Sequence, residues 1–404
     1  MSYLLKARHL VKKYIFLLFD LLIICIPIPR RDFAATVIRL DAIGDFLIWL
    51  QFGAKEINEY LNDNFAGRTL LICNDVNLEI AKQIGYWDEI FPINIIKIKR
   101  NLLYRLKTLL SLKRFNFQIA IQPRHAREMI LDDSVIRICN AKHKLVSQFS
   151  SYNISELEGK IGNLFASQLI EINKKAIKHE IDYSQEITFN ITNKKVSKTN
   201  LAIFLSSKNL SPNNIIQVES YDLIIHPTSG WHGRNWPHFN FSEFISKIQD
   251  NWPNLKIGFL GSSNDHAVML SINSLLKEKH YPEVKIIYSQ DLIHSLQLIK
   301  AAKIFIGNES GLAHAGIALN TPTICFLGGG HYNWFAPYPE EYHDKRTIFL
   351  STKMDCFNCN WNCIYEIKKN NSAKCIENIS VTSAYHAFYE LYENTKKNDK
   401  KRIS

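Results

Sequence analysis

The chain has 404 residues, enough for two domains with sizeable cores, and its 46% hydrophobic and 22% charged residues indicate a globular protein rather than a disordered one. Its formal net charge of +11 favours an anionic partner: nucleic acid, an anionic membrane surface or a phosphorylated substrate. Nucleic acid is the least supported of the three, because there is no helix-turn-helix pattern, aromatic RNA-binding signature or zinc-finger spacing.

Residues 1–31 are predicted to form a basic, apolar helix that lies on a membrane surface. Basic residues precede an apolar run over residues 14–29, and Arg30 and Arg31 follow it. A signal peptide is disfavoured because Asp20 interrupts the run and no small-residue cleavage site follows. The run is also short for a bilayer span. The alternative is a helix that packs on the protein's own domain.

Strand-like runs alternate with helical stretches through residues 32–200, which is the rhythm of a parallel sheet covered by helices. Ser155 and Glu158 have the spacing of a capping box and fix the start of the last helix. The predicted strands are 34–40, 69–73, 90–92 and 118–121, and the predicted helices are 46–61, 77–84, 100–113 and 155–180.

The same rhythm restarts after a polar crossing at residues 188–219, where one short helix is expected near 201–210. A charged tail over residues 396–402 is expected to be disordered. The predicted strands are 221–225, 255–260, 284–288, 303–307 and 323–327, and the predicted helices are 241–252, 292–302, 312–319 and 381–393.

Polar residues follow several of these strands, at the sheet edge where open α/β sheets bind ligands. Asp45 lies in the first turn of a helix; it is a candidate general base or simply an acid that the helix dipole favours. Arg124 and Arg127 form a positive cluster, either a solvated face or a contact for an anionic acceptor. The Gly328–Gly330 run is expected to permit close approach of a ligand.

The stretch 303–330 parses as strand, tight turn, helix and strand, with Ser310 as a helix N-cap. A helix N-terminus at a strand end suits a phosphate. Dehydrogenases, P-loop enzymes and serine hydrolases are poorly supported, since their glycine-rich and nucleophile-elbow motifs are missing.

Four segments resemble glycosyltransferase family 9, the heptosyltransferase-like enzymes of bacterial surface polysaccharide synthesis. They are IRLDAIGD at 38–45, HP at 226–227 with RNWP at 234–237, GNESGLAHAGIALNTP at 307–322, and a cysteine-bearing segment at 356–375. Three departures are visible. Glu309 replaces the usual Asp, Gly316 replaces Ala, and the 228–234 loop differs by about one residue from the heptosyltransferase spacing.

The resemblance implies an α/β protein of the GT-B fold, with two Rossmann-like domains facing across a cleft. The N-terminal domain, residues 32–200, would bind the acceptor, and the C-terminal domain, residues 201–385, would bind a nucleotide-diphosphate sugar. Residues 1–31 would be the membrane-surface helix, and 386–404 a basic tail.

The implied reaction is inverting, metal-independent transfer of heptose or a related sugar to a lipid-linked or lipopolysaccharide saccharide. No cofactor is expected to be required, and the enzyme would work at the inner face of the cytoplasmic membrane. Asp45 would be the catalytic base, and Arg124 and Arg127 would bind the acceptor. The implied donor-binding residues are Thr228, Ser229, Arg234, Glu309, Ser310, Gly311 and His314.

The C-terminal loop 355–376 carries cysteines with the spacing C-x2-C-x3-C-x11-C, namely Cys356, Cys359, Cys363 and Cys375. Such spacing is compatible with a structural metal site, with free or redox-labile thiols, or with disulfides. Two rival functions stay open at this point: a GT-B-type nucleotide-sugar epimerase, and a non-catalytic module that binds a nucleotide-sugar or lipid.

Overall fold

A computed structural model describes residues 3–150, 154–173, 178–204, 218–289 and 291–403. Contacts divide the chain into two units. The first comprises Met1–Ala42, Trp49–Ile177 and Ile181–Thr199, and the second comprises Ile43–Ile48, Lys178–Glu180 and Asn200–Ser404.

The first unit is built on a parallel sheet of six strands, in the order β3-β2-β1-β4-β5-β6. Its strands are β1 Arg31–Arg39, β2 Thr69–Asn74, β3 Glu89–Ile93, β4 Phe115–Gln122, β5 Asn140–Ser147 and β6 Gln168–Ile170. The helices in this half of the chain are α1 Tyr3–Ile24, α2 Ile43–Phe52, α3 Ala54–Asn64, α4 Leu78–Ile84, α5 Ile95–Arg100, α6 Leu102–Leu112, α7 Asp132–Ile138, α8 Glu156–Asn163 and α9 Glu180–Thr192.

The second unit has its own six-stranded parallel sheet, in the order β12-β11-β10-β7-β8-β9. Its strands are β7 Leu223–His226, β8 Ile257–Gly261, β9 Lys285–Tyr288, β10 Ile304–Asn308, β11 Thr323–Phe326 and β12 Thr347–Leu350. Its helices are α10 His238–Asn251, α11 His266–Glu278, α12 Leu292–Ala301, α13 Gly311–Ala318, α14 Lys374–Glu377 and α15 Val381–Ile403.

Both sheets therefore repeat the doubly wound order 3-2-1-4-5-6 of dinucleotide-binding folds. Each has a separate hydrophobic core. In the second unit Trp236 stacks on Phe326 with ring centroids 4.2 Å apart, and Phe241 meets Phe326 edge to face. In the first unit the core lies under β1, β2 and β4, where Phe33 packs on Phe115 and Phe117.

Several predicted boundaries are wrong. The helix predicted over 155–180 begins with the expected capping box of Ser155 and Glu158, but it ends at Asn163 and strand β6 follows. The helix predicted over 46–61 is two helices, because the chain bends at Gly53. A Cβ there would lie 2.4 Å from Thr188 Oγ1.

The two ends of the chain also differ from expectation. Helix α15 continues to Ile403, so the predicted disordered tail at 396–402 is wrong. Of the short helix predicted near 201–210, Leu201–Ile203 forms one turn of 3-10 helix, and residues 205–210 lie outside the described part of the chain.

Helix α1 packs on the first unit along one face only. Phe16, Asp20 and Ile23 are buried on that face, and Asp20 forms ion pairs with Arg105 and Arg137. The opposite face remains exposed. Among the described helices, none has the length and apolar character needed to cross a bilayer.

Candidate active site

The loops after β7 and β10 meet where the connections of the second sheet reverse direction. β7 and β10 are hydrogen-bonded neighbours although they are far apart in sequence, with His226 opposite Gly307. In doubly wound sheets this switch point leaves a crevice in which ligands bind. Most of the predicted donor-binding residues follow these two strands: Thr228, Ser229, Arg234, Glu309, Ser310 and Gly311.

Glu309, directly after β10, is a buried carboxylate between two nitrogen-bearing side chains. Arg234 Nη1 lies 3.2 Å from one of its oxygens, and His314 Nε2 lies 3.5 Å from the other. Burial alone would raise the pKa of Glu309, but the His314 hydrogen bond and the Arg234 charge outweigh it and lower the pKa to about 2. Glu309 is therefore ionised at neutral pH and fixes the guanidinium of Arg234 at the site.

Ser310 is the N-cap of α13, but its side chain makes no capping hydrogen bond. Its Oγ is buried and has no hydrogen-bond partner among the described residues. The first turn of a helix also has N–H groups without intrahelical acceptors. A buried, unpartnered hydroxyl beside such a turn is an arrangement suited to an anion.

The hydroxyls of Thr228 and Ser229 are both engaged within the protein. Thr228 donates to Asp265 Oδ1 at 2.6 Å, and Ser229 donates to Asn235 Oδ1 at 2.7 Å. Burial alone would raise the pKa of Asp265, but the Thr228 hydrogen bond contributes to lowering it. Because both hydroxyls would have to reorient to donate to a phosphate, their role in binding one stays a prediction.

Tyr338 joins this group, although the sequence analysis did not single it out. Its hydroxyl lies 2.9 Å from Nδ1 of His314, and both side chains are buried. When Nε2 of His314 carries the proton and faces Glu309, Nδ1 is free to accept from the Tyr338 hydroxyl. The three side chains thus form a hydrogen-bonded series of carboxylate, imidazole and phenol.

Asp45 belongs to the second unit by its contacts, since Ile43–Ile48 are grouped there. A Cβ on the neighbouring Gly44 would lie 2.7 Å from Cδ2 of His314, so glycine permits this close approach. Burial, followed by the charge of Asp45, raises the pKa of Tyr338 well above its ordinary value. Asp45, the predicted base, is therefore close enough for its charge to act on Tyr338, which is hydrogen-bonded through His314 to Glu309.

Arg127 does not fit its predicted role in acceptor binding. Its side chain is fully buried in the first unit, where it lies 3.2 Å from Asp133 and donates to Asn163 at 2.8 Å. Burial lowers the pKa of Arg127, and Asp133 opposes that shift. A side chain with no exposed surface cannot contact an acceptor, so Arg127 is a structural ion-pair residue.

Arg124 is buried less completely, but it is also held by acids. Its Nε lies 2.7 Å from Asp41, and its Nη1 lies 2.8 Å from Asp132. Asp41 in turn pairs with Arg39 at 2.6 Å. These pairs tie the carboxyl ends of β1 and β4 together, and an acceptor contact by Arg124 stays a prediction.

The Gly328–Gly330 run permits close packing within the protein itself. A Cβ on Gly329 would lie 2.1 Å from Phe357, and one on Gly330 would lie 2.3 Å from Trp361. Both aromatic residues belong to the cysteine-bearing loop. The glycines therefore let that loop lie against the end of β11, and close approach of a ligand there stays a prediction.

The four cysteines of this loop line one small cavity as free thiols. Burial, then the neighbouring Cys359 and Cys375, raise the pKa of Cys363 to about 11. Among the described residues, no three His, Cys, Asp or Glu side chains are arranged to hold a metal ion. None of the four cysteines is in a disulfide, and a structural metal at this cluster stays a prediction.

His331 is a second residue that the sequence analysis missed. Burial lowers the pKa of His331; the charge of Glu309 opposes this shift, and the charge of Arg234 adds to it. His331 is stacked on Trp334 with ring centroids 4.7 Å apart. In the sequence, both His331 and Tyr338 lie in the aromatic-rich stretch HYNWFAPY at residues 331–338. This stretch is outside the four segments that resemble the family, so only its aromatic content could have indicated a site.

Comparison with known proteins identifies a family for just over half of the chain. Residues 158–363 match the family described as glycosyltransferase family 9 (heptosyltransferase). Lipopolysaccharide heptosyltransferase 2 of Escherichia coli (strain K12) is 27% identical over 120 residues, which are 30% of this chain and 33% of that protein. The chain thus matches about a third of the length of this relative.

Solved structures show the same architecture over more of the chain. The E. coli ADP-heptose lps heptosyltransferase II has a TM-score of 0.60 at 14% identity, covering 90% of this chain and 99% of that one. The E. coli heptosyltransferase WaaC with ADP-2-deoxy-2-fluoro heptose has a TM-score of 0.61 at 12% identity, covering 88% and 99%. The predicted fold class, α/β of the GT-B type, is confirmed.

Proposed function

The chain belongs to glycosyltransferase family 9, and on this premise we propose that it transfers a sugar from a nucleotide-diphosphate donor to a saccharide acceptor. ADP-heptose is the first donor to consider, because two structures of similar fold are named for ADP-heptose or solved with an analogue of it. The proposed acceptor is a lipid-linked or lipopolysaccharide saccharide, as the name of the E. coli relative suggests.

The observation that carries this proposal is the unpartnered Ser310 hydroxyl at the start of α13, with the Arg234–Glu309 pair on the adjoining loops. We propose that Ser310 and the first N–H groups of α13 bind the donor diphosphate. Arg234 would neutralise its charge, as a planar guanidinium can do with two hydrogen bonds. Thr228 and Ser229 would turn toward the phosphates when the donor binds.

Catalysis would proceed by direct displacement at the anomeric carbon. The acceptor hydroxyl forms the new C–O bond while Asp45 removes its proton. The bond between the anomeric carbon and the diphosphate breaks on the opposite face, and the diphosphate leaves with the bonding electrons. Arg234 and the start of α13 would stabilise the negative charge that develops there, with no metal ion required. One displacement inverts the anomeric configuration.

Tyr338, His314 and Glu309 would act as positioning residues rather than reacting groups. Glu309 fixes the tautomer of His314, and His314 accepts from Tyr338. The phenol is thereby held within the field of Asp45. Glu309 would also contact the donor sugar, and its extra methylene relative to the family's aspartate would tune which sugar is accepted.

Ligand binding tests the donor half of this proposal. Purified protein is heated with ADP-heptose, ADP, and UDP- and GDP-sugars, because a ligand present at about 100 times its Kd stabilises a fold by about 2.7 kcal/mol. We expect stabilisation by the ADP compounds, reduced in Ser310→Ala. Glu156→Gln, which alters an exposed ion pair far along the sequence, should respond like the wild type. No stabilisation by any nucleotide-sugar would contradict the proposal.

Substitution of the base tests the catalytic half. Asp45→Asn should bind the donor normally but lower the transfer rate by about 10²–10⁴, as expected for the loss of a general base. The product's anomeric configuration, measured by NMR, should be inverted relative to the donor. An unchanged rate in Asp45→Asn, or retained configuration, would refute this mechanism while leaving donor binding unaffected.

We also propose that the enzyme works at the inner face of the cytoplasmic membrane, as a peripheral protein. The net charge of +11 supports contact with anionic lipid, and a lipid-linked acceptor would be presented there.

A further inference from the structure

The outward face of α1 carries an apolar stripe that no described residue of the first unit covers. It consists of Val11, Ile15, Leu18 and Leu22, whose exposed fractions run from 53% to 68%. Their spacing of four, three and four residues places them on one side of a helix that turns about 100° per residue. A row of four large apolar side chains at this exposure differs from single exposed residues, which are ordinary on protein surfaces.

The opposite face of α1 is fixed to the first unit by charge. The Asp20 carboxylate accepts hydrogen bonds from Arg105 at 2.7 Å, from Arg137 at 2.7 Å and from Ser134 at 2.5 Å. All four side chains are buried. These bonds set the rotation of the helix about its axis, because a helix rotated by half a turn would bury the apolar stripe and expose Asp20.

The carboxyl end of α1 is fixed as well. Lys113 Nζ donates to the carbonyl oxygens of Ile23 at 2.9 Å and Ile24 at 2.5 Å, and also to that of Ile26. It thereby satisfies carbonyl groups that a helix end otherwise leaves without a partner. With the rotation and one end both held, the exposure of the stripe is a property of the fold.

The surroundings of the stripe are strongly basic. Residues 1–31 contain six Lys or Arg and one acid, and that acid is the buried Asp20. Residues 95–112, which form α5 and α6, contain five Lys or Arg and no acid. Of these five, Lys97, Arg100 and Lys107 are exposed, whereas Arg105 is buried against Asp20 and Lys99 pairs with Glu128. Arg105 places α6 directly beside α1, and exposed apolar residues recur on these two helices at Ile96, Leu102 and Leu103.

We infer that the apolar stripe of α1, together with the basic residues of α5 and α6, docks the protein onto an anionic lipid bilayer. The stripe would enter the headgroup and acyl boundary, as the apolar faces of interfacial helices do, and the Lys and Arg side chains would contact lipid phosphates. The inference rests on the proposed function for its purpose, which is to hold the enzyme beside a lipid-linked acceptor.

A second copy of this chain fits the surface less well than a bilayer does. Pairing two α1 helices through their stripes would bring two sets of basic residues together, and residues 1–31 and 95–112 contain no acid except the buried Asp20 to offset their charge. An anionic membrane supplies both an apolar interior and negative charge. The chemistry of the surface therefore favours lipid over self-association.

Vesicle flotation of the full chain tests this inference without any sugar donor. Vesicles contain equal amounts of phosphatidylglycerol and phosphatidylcholine, or phosphatidylcholine alone. We expect the wild type to bind the anionic vesicles, and Leu18→Glu to lower the binding constant about tenfold or more. Lys97→Gln with Arg100→Gln should weaken binding to anionic vesicles, and added salt should do the same.

Leu270→Glu is the matched control, since Leu270 is an exposed leucine on α11 of the second unit. It should bind vesicles like the wild type. Equal binding by Leu18→Glu and wild type, or no binding by either, would overturn the inference. A wild-type dimer that Leu18→Glu converts to monomer, with no vesicle binding, would instead assign the stripe to self-association and also overturn it.

Thermal shift with ADP on the same samples separates this inference from the proposed function. Flotation that fails while ADP still stabilises the protein refutes the docking surface alone. Flotation that succeeds without any nucleotide effect leaves the docking surface standing and counts against the proposed transferase.

Discussion

Replacing Asp20 with asparagine should strongly destabilise the first unit. Asparagine keeps the size of the side chain but removes its charge, and its amide would put donors against the guanidinium groups of Arg105 and Arg137. Both arginines are fully buried, and burial lowers their pKa while Asp20 opposes that shift. Removing one partner of a buried ion pair costs about 3–5 kcal/mol, because the remaining charge is left uncompensated.

A second route gives a similar magnitude. The first unit could release α1 and hydrate the two arginines, but it would then expose Phe16 and Ile23, which are 4% and 1% exposed. Each such side chain contributes about 1.5–3 kcal/mol when buried, so release costs roughly 3–6 kcal/mol. The less costly route sets the loss in free energy of unfolding, which is therefore expected to be about 3–5 kcal/mol.

Urea denaturation and amide hydrogen exchange measure the two routes separately. Urea denaturation gives the free energy of unfolding, and amide hydrogen exchange over α1 shows whether the helix detaches before the rest of the unit unfolds. Glu156→Gln, which breaks an ion pair with Lys160 between highly exposed side chains, should change stability by at most about 0.5 kcal/mol. An Asp20→Asn protein as stable as this control, with α1 still protected, would refute the reasoning.

Three further changes have defined outcomes. Tyr338→Phe should lower kcat about tenfold or more, because Nδ1 of His314 loses the hydrogen bond that helps to hold the imidazole in place. Tyr332→Phe is the control, and equal rates in both variants would argue against the positioning role. Burial, then His314, lowers the pKa of His179 to about 4. The unfolded chain therefore binds a proton at His179 more readily than the folded protein does. Stability is fully present above the unfolded pKa and falls as the pH drops from about 6.5 toward 4, with a loss of about 2 kcal/mol at about pH 5. Urea denaturation above about pH 6.5 and at about pH 5 should show this loss in the wild type and not in His179→Gln. The same dependence of unfolding free energy on pH in both proteins would contradict it. With its pKa near 11, Cys363 should react with iodoacetamide much more slowly in the native protein than after unfolding. Mass spectrometry measures this, and elemental analysis that found stoichiometric metal would overturn the free-thiol description.

Sequence reasoning located the seven mostly buried strands, and it also located β3 and β9, whose residues are mostly exposed or half-buried. β1, β2, β4, β7, β8, β10 and β11 are apolar runs because both faces of a parallel sheet are covered, and such runs are visible in a sequence. β5 was missed because its segment NAKHKLVS begins with polar residues and only its last two residues are buried. β12, a four-residue edge strand with three half-buried residues, was also missed.

The candidate site followed the same rule. Glu309, Ser310 and Arg234 lie on loops with recognisable motifs, and the structure places them around one switch point. Tyr338 could not be predicted, since its contact with His314 depends on how a long loop returns to the sheet. Arg127 was misjudged because a sequence does not show that Asp133 and Asn163 take up its guanidinium.

The division of the chain into discontinuous units restricts how this protein could be recombined with its relatives. Ile43–Ile48 and Lys178–Glu180 are grouped with the second unit although they precede Asn200 in sequence. A chimera joined at Asn200 would import new loops around Arg234 and Ser310 but retain the host's Asp45 and His179. A chimera that exchanges the whole second unit would therefore need to replace three segments of the chain rather than one.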